Sequence, residues 1–170
     1  MRRLLLLGLL AALTLTLAPA ASATTTSFSA TFKESFGRAT AHPCSADVFV
    51  CGSGNVAGFG AATEEFFIAY FEPETAFETG CSPLTLVRTI TLTDGSILVT
   101  EETGTVCFPG VTFQTPGSLR SFGNPGFFTG TYEIVEGTGV FEGATGSGTS
   151  TFKAAGDAAL SRLSGTITLP

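Results

Sequence analysis

The sequence predicts an all-β protein, a single antiparallel β-barrel of about eight strands. Short runs rich in Thr, Phe, Val and Ile are broken throughout by Gly and Pro, and no long stretch after the N-terminal leader has a helical period. The well-defined runs alternate apolar side chains with Thr or Ser, as half-buried strands do. The stretch Gly130–Thr149, GTYEIVEGTGVFEGATGSGT, places glycines where an antiparallel barrel makes its tight corners.

The N-terminus has the three parts of a cleavable signal peptide. Met1–Arg3 is a short basic region, Leu4–Leu17 is an apolar run, and Ala21–Ala23 has the small-x-small form of a signal-peptidase site. The apolar run is short for a membrane span, which needs about 20 residues, although an uncleaved anchor is the alternative. We therefore expect a signal-peptide helix at residues 1–23, a barrel domain at residues 24–170, and a secreted protein without membrane contact after cleavage.

The charge of the predicted mature chain excludes some partners. Without the leader, six basic residues stand against fourteen acidic ones, so the net charge is −8. An acidic domain of this kind is repelled by nucleic-acid phosphates and by anionic lipids, and no cluster of Lys or Arg in the sequence opposes that repulsion. Nucleic acid is therefore not expected as a partner.

The four cysteines predict two disulfides. Cys44, Cys51, Cys81 and Cys107 are an even set, which indicates disulfide pairing outside the cytosol. Three pairings exist, and we favour Cys44–Cys51 with Cys81–Cys107 because each pair is then nearest in sequence. The alternative is a zinc site formed by His42, Cys44 and Cys51, but it lacks a CxxC pair and a second histidine. We expect no metal and no other cofactor.

The strands can be placed from their alternation. Leu84–Thr93 and Ser96–Val106 predict the clearest hairpin, because Asp94-Gly95 between them is the preferred pair for a two-residue type I′ turn. The Pro-rich stretch Phe108–Phe127 predicts a long exposed loop. Pro73 is expected to end the strand before it. The other expected strands are Phe28–Phe36, one or two within Asn55–Phe71, a strand starting at Phe128, Ser147–Ala154 and Ser161–Leu169.

Arg88 is the first candidate ligand-binding residue. It falls on the same strand face as Leu84, Leu86, Ile90 and Leu92, so its guanidinium is expected inside the barrel. A charge buried there needs a partner, which Glu64, Glu65 or Glu102 could supply. The functional interpretation is an anchor for a ligand carboxylate or phenolate in a cavity lined by Phe. The alternatives are a structural ion pair, or an arginine at the strand end that reaches solvent.

Tyr132 and Glu65 complete the candidate set. Tyr132 projects to the same side as Phe128 and Ile134, where its hydroxyl could donate to a ligand. Neighbouring residues of a strand point to opposite faces, so one of Glu64 and Glu65 faces the interior, and Glu65 is taken as the candidate. A desolvated carboxyl there would have a raised pKa, which suits a general acid or base.

The order of residues in Gly130–Thr149 resembles the allene oxide cyclase-like and dirigent-like barrels. The similarity lies in Gly130-Thr131-Tyr132, Ile134, Gly137-Thr138-Gly139, Phe141, Gly143 and Gly146. Secreted bacterial proteins with an allene oxide cyclase barrel-like domain look more similar than the dirigent proteins do. The resemblance implies a calycin-like, eight-stranded barrel with a central cavity, often oligomeric, and it favours a barrel over the sandwich that alternation alone leaves open. Plant relatives cyclise a fatty-acid epoxide or steer the coupling of phenoxy radicals. The matched residues are turn and core positions, so no catalytic role is carried over.

The predicted function is non-catalytic binding of a small apolar molecule inside a secreted barrel. One alternative is an isomerase, cyclase or dirigent-type protein that acts on a lipid-derived or phenolic substrate through Arg88, Tyr132 and a glutamate. Another is a cell-surface protein with a packed interior that binds partners through the Phe108–Phe127 loop. Assembly into a homo-oligomer is compatible with all three.

Overall fold

The computed structural model describes residues 22–36, 50–109, 126–156 and 158–170. One turn of 3₁₀ helix, Gly139–Phe141, follows the sixth strand. The elements in chain order are β1 (Thr24–Phe36), β2 (Val50–Val56), β3 (Gly60–Phe71), α1 (Pro73–Thr79), β4 (Cys81–Leu92), β5 (Ile97–Cys107), β6 (Gly126–Gly137), β7 (Thr145–Ala155) and β8 (Ala158–Leu169). The predicted leader helix lies outside the described residues.

The eight strands form a closed antiparallel barrel. Each strand pairs with its neighbours in sequence, and β1 also pairs with β8 along its length, from Thr24 opposite Leu169 to Ser35 opposite Ala158. The prediction of an all-β barrel with about eight strands is confirmed. In the closed barrel every strand has a paired neighbour on both sides, and the first and last strands pair with each other.

The alternation of side chains between the two faces also agrees with the sequence. On β4 the even-numbered residues Ser82 to Leu92 are buried, whereas Thr85, Thr89 and Thr91 lie toward the outside.

The β4–β5 hairpin is confirmed, but its turn is not type I′, which needs a positive φ at both central residues. Only Gly95 has one, at 87°, and the connection runs over four residues between Leu92 and Ile97. Asp94 instead accepts a hydrogen bond from the Ser96 N–H at 2.9 Å.

Helix α1 begins at the residue that was expected only to end a strand. Pro73 occupies the first helical turn, where its missing N–H is no loss. Gly80 closes the helix in a left-handed conformation with φ 75°, and its N–H donates to the Ala76 carbonyl. Both signals are visible in the sequence, but a helix of seven residues has too few turns to show a period.

The interior has two apolar layers, one toward each end of the barrel. The turn end carries the short connections at residues 57–59, 93–96 and 138–144, and the loop end carries α1, the last residues of β1 and β5, and the first residues of β2 and β6. The turn-end layer contains Phe28, Ala30, Phe32, Val56, Ala62, Ile90, Leu92, Leu98, Tyr132, Phe141, Ala144, Leu163 and Ile167. The loop-end layer contains Val50, Phe66, Leu84, Leu86, Val106, Phe108, Phe128, Phe152, Ala154 and Ala159.

Inward-facing glycines make room for the large rings of these layers. Tyr132 lies over β7 and β8 at Gly148 and Gly165, which are register partners. A Cβ at Gly148 would lie 2.2 Å from the carbonyl oxygen of Ser164 and 2.7 Å from Cε1 of Tyr132. Such contacts are shorter than atoms tolerate, so the absence of a side chain here is a packing requirement.

Replacing Gly148 by alanine is therefore expected to destabilise the protein by about 1–3 kcal/mol, the usual cost of an overpacked core. Urea unfolding at equilibrium measures this change. Ser147→Ala is the matched control, because Ser147 is the exposed neighbour on the same strand. The control is expected to stay within about 0.5 kcal/mol of the parent. Equal stabilities of the two variants would contradict the packing role of Gly148.

One disulfide is present among the described residues. Cys81 and Cys107 are register partners at the loop end of β4 and β5, and their sulfurs are bonded. This pairing was predicted and is confirmed. Cys44 lies outside the described residues, as does His42, so the Cys44–Cys51 pairing stays a prediction. Within the described ranges, no helix is both long and apolar enough to span a membrane.

Candidate functional site

A buried cluster of charged groups occupies the middle of the barrel, between the two apolar layers. Arg88 lies at its centre, on β4 between Leu86 and Ile90, and is fully buried. Its Nε donates to Oε1 of Glu102 at 2.6 Å, and its Nη1 donates to Oε1 of Glu34 at 2.9 Å and to Oε2 of Glu64. Its Nη2 reaches Oε2 of Glu102 at 3.5 Å. One guanidinium thus pairs with three carboxyl groups.

The three carboxyl groups come from alternate strands of the barrel: Glu34 from β1, Glu64 from β3 and Glu102 from β5. Gly52 on β2 is the register partner of both Glu34 and Glu64. A Cβ at Gly52 would lie 2.8 Å from Oε1 of Glu64 and 3.2 Å from Cγ of Glu34. The two carboxyl groups can approach each other over β2 because Gly52 has no side chain.

Hydroxyl groups and one aromatic ring complete the cluster. Ser150 donates to Oε2 of Glu102, and Thr100 donates to Oε1 of the same residue at 3.3 Å. Ser161 accepts from Arg88 Nη1 at 3.2 Å. The ring of Phe66 lies 4.9 Å from the Arg88 guanidinium carbon, in cation–π geometry. Glu102 is thereby supplied with donors on both oxygens.

Burial and mutual charge set the protonation of the cluster. Desolvation raises the pKa of Glu64 well above its ordinary value, the charge of Arg88 lowers it in part, and the charge of Glu34 raises it further. Desolvation alone would lower the pKa of Arg88, but the charges of Glu102, Glu64 and Glu34 hold this pKa well above its ordinary value. Arg88 is therefore a permanent cation, whereas burial shifts the equilibrium of Glu64 toward its protonated form.

The structure brings together only some of the residues predicted from the sequence. Arg88 faces the interior, as predicted. Two of the three glutamates that were expected as possible partners, Glu64 and Glu102, pair with it. The choice of Glu65 as the inward carboxyl was wrong. Glu65 is exposed, and its neighbour Glu64 faces the interior. Glu34 was missed, although it lies in phase with Phe28, Ala30 and Phe32 on β1, which is the signal that would have found it.

Tyr132 belongs to the turn-end layer and is 1% exposed. Its ring packs against Phe28 with 5.9 Å between centroids, and its hydroxyl has no hydrogen-bond partner among the described residues. Desolvation, followed by the charge of Glu102, raises the pKa of Tyr132 to about 12. The phenol is therefore neutral at physiological pH. Its role as a ligand donor stays a prediction.

Two depressions lie along the outside of the barrel wall. One of about 340 Å³ is lined by Glu101, Thr103, Thr131, Tyr132, Glu133 and Val135. The other, of about 460 Å³, is lined by Ser53, Gly54, Ala61, Ala62, Thr63, Thr91, Leu92 and Thr93. Neither depression is lined by Arg88 or by its carboxylate partners.

The outer surface also carries three cations with two apolar neighbours, here together called the basic patch: Lys33, Lys153, Arg162, Phe127 and Leu160. Leu160 on β8 is the register partner of both Lys33 on β1 and Lys153 on β7. Lys153 is also the register partner of Phe127 on β6, and its Nζ lies 5.5 Å from the centroid of that ring. Arg162 follows two residues along β8. These three are all the outward cations of the described part of the chain, and none forms an ion pair there.

Comparison of the chain with protein-family models, with curated proteins and with solved structures finds no match. The resemblance of Gly130–Thr149 to allene oxide cyclase-like barrels therefore gains no support from relatives. Within the described ranges, no group of three or more His, Cys, Asp or Glu side chains is arranged to hold a metal ion. The barrel by itself implies no activity, because one fold serves many functions.

Proposed function

We propose that this protein is a secreted, non-catalytic interaction module whose packed barrel presents its outer surface to a partner. The observation that carries the proposal is the site of Arg88. The guanidinium is fully buried, and each of its three nitrogens already donates to an acceptor of the protein: Nε and Nη2 to Glu102, and Nη1 to Glu34 and Glu64. A buried group that is engaged in this way is not available to anchor a ligand carboxylate.

The packing of the interior favours this function over the carrier predicted first. Binding sites for apolar molecules are concave and mostly apolar. Here the middle layer is charged, and buried charges are tolerated only while they compensate one another. A ligand placed there would separate them. The isomerase or cyclase alternative meets the same obstacle, because Glu64, the acid with the raised pKa, is 1% exposed.

The basic patch is the surface that we assign to the partner. The whole chain is acidic, yet Lys33, Lys153 and Arg162 are gathered on three adjacent strands. Phe127 is 39% exposed and Leu160 49% exposed within the same patch. Exposed apolar side chains beside cations that form no ion pair among the described residues suit an acidic protein surface, because opposite charges are complementary across an interface and aromatic residues are enriched there. At the patch, β1, β7 and β8 are paired on both sides, so docking uses side chains.

Secretion and the family remain parts of this proposal. The Cys81–Cys107 disulfide fits an oxidising compartment, and the leader-like N-terminus supplies the route. The eight-stranded antiparallel barrel is compatible with the allene oxide cyclase-like resemblance of Gly130–Thr149. Neither point decides the function.

Native mass spectrometry of the protein purified from its own source tests the packed interior. We expect the mass of the chain alone, and no saturable binding of a fluorescent fatty acid such as cis-parinaric acid. A stoichiometric small molecule that co-purifies, or saturable binding of the probe, would overturn the packed-module proposal in favour of the carrier.

Photo-crosslinking tests the surface. A photoreactive phenylalanine at position 160 is expected to capture a protein partner, and capture is expected to be lost when Lys33, Lys153 and Arg162 are changed to Glu. The same crosslinker at Thr91, on the far side of the barrel, is the control. Equal capture from both positions would argue against the basic patch.

A further inference from the structure

The buried cluster carries more negative than positive charge. If every group ionised, one guanidinium would face three carboxylates and two negative charges would remain uncompensated inside the barrel. No other cation within the described residues reaches the interior, because Lys33, Lys153 and Arg162 are exposed. The groups that face the cluster are Glu34 on β1, Gly52 on β2, Glu64 on β3, Arg88 on β4, Thr100 and Glu102 on β5, Tyr132 on β6, Ser150 on β7 and Ser161 on β8.

The hydrogen bonds show where the excess charge lies. Glu102 accepts from Arg88, Thr100 and Ser150, so both of its oxygens are satisfied. Arg88 takes only one oxygen from each of the other two carboxyl groups, Oε1 of Glu34 and Oε2 of Glu64. The remaining oxygens, Oε2 of Glu34 and Oε1 of Glu64, are buried and have no partner among the described residues.

These two carboxyl groups converge on one nitrogen, Nη1 of Arg88, and both lie beside Gly52, which has no side chain to separate them. An ionised carboxylate has acceptors only, so two ionised groups cannot satisfy each other's oxygens by a hydrogen bond. A single proton between them would supply the missing donor, satisfy the two unpartnered oxygens and remove one of the two excess charges. Two like charges that share one site keep a proton in the same way.

We propose that Glu34 and Glu64 share one proton in the folded protein, and that loss of this proton as the pH rises weakens the barrel. The cluster is then a proton-dependent switch that favours the folded state in acidic surroundings. It acts on the stability of the barrel whether or not the protein is an interaction module, so the proposal stands apart from the function proposed above.

The direction of the pH dependence follows from Glu64. Burial raises its pKa in the folded state, whereas in the unfolded chain it titrates near 4.5. The stabilisation of the folded state by the proton on Glu64 is therefore complete below pH 4.5. It is lost as the pH rises through the pKa of Glu64 in the folded state. Tyr132, with a pKa of about 12, titrates above this window. The pKa values of Asp94 and Glu72 are lowered by hydrogen bonds from Ser96 and Tyr70, so they act only at more acidic pH.

Urea unfolding of the wild type between about pH 5 and 9 tests the shared proton. The unfolding equilibrium constant is expected to rise about tenfold per pH unit wherever the two states differ by one proton. Glu64→Gln is expected to remove this dependence, because its amide N–H donates to Glu34 in place of the proton. Glu65→Gln, the exposed neighbour, is the control and is expected to keep the dependence.

Two results would overturn the proposal: a wild type whose stability does not fall over this range, or a Glu64→Gln variant that keeps the wild-type slope. Infrared spectroscopy of the wild type decides the question if the variant fails to fold. The C=O stretch of a protonated carboxyl is expected to persist after the exposed carboxyl groups have ionised and to disappear only at higher pH. A folded wild type that loses this band together with its exposed carboxyl groups would contradict the shared proton.

Discussion

Replacing Arg88 by methionine is expected to destabilise the barrel by about 3–5 kcal/mol at neutral pH, because removal of one partner from a buried ion cluster leaves the others uncompensated. Methionine keeps much of the volume but leaves Glu34, Glu64 and Glu102 without their only buried cation in the described part of the chain. Urea unfolding at equilibrium measures the loss. The difference in stability between the variant and the wild type is expected to become smaller at acidic pH, where the three carboxyl groups can take up protons.

Arg162→Met is the matched control for this substitution. Arg162 is exposed and forms no ion pair within the described residues, so the change should stay within about 0.5 kcal/mol. A loss at Arg88 no larger than the loss at Arg162 would mean that the cluster does not hold the interior together.

Replacing Phe128 by alanine is expected to cost about 3–5 kcal/mol of stability and to open a cavity in the loop-end layer. Phe128 is 1% exposed, and its ring stacks on Phe152 with 5.4 Å between centroids. An apolar cavity that stays dry can accept a small apolar molecule. The variant is therefore expected to bind benzene, as detected by a rise in its melting temperature, whereas the wild type is not.

Phe127→Ala is the control, since Phe127 is the neighbouring residue on the outer face of the same strand and is 39% exposed. It is expected to lose much less stability and to gain no binding of benzene. Stabilisation of the wild type by benzene would indicate that the loop-end layer already contains room for a ligand, contrary to the packed interior.

The fold was largely predictable because local pattern and burial agree along most strands. On β4, the alternation of Leu84, Leu86, Ile90 and Leu92 with threonines gives the inward face without any knowledge of the neighbours. The same alternation placed Arg88 inside. Such a pattern reports on one strand at a time, and it is reliable where the strand is regular.

Relations between strands could not be read in this way. The approach of Glu34 to Glu64 depends on the register of β1, β2 and β3 and on the missing side chain of Gly52 between them. The choice between Glu64 and Glu65 failed for a related reason: adjacent carboxylates look alike, and only the phase of the whole strand separates them. The sequence between β1 and β2 does not determine how far one strand is shifted along the other, so their register could not be derived from it.

The pairing of the first and last strands has a practical consequence. Because Thr24 lies opposite Leu169, the two ends of the barrel domain are side by side at the turn end. A short linker between them would permit circular permutation, with new termini cut at one of the tight turns. A fusion or tether attached at either terminus would likewise leave α1 and the loop end of the barrel pointing away from the attachment.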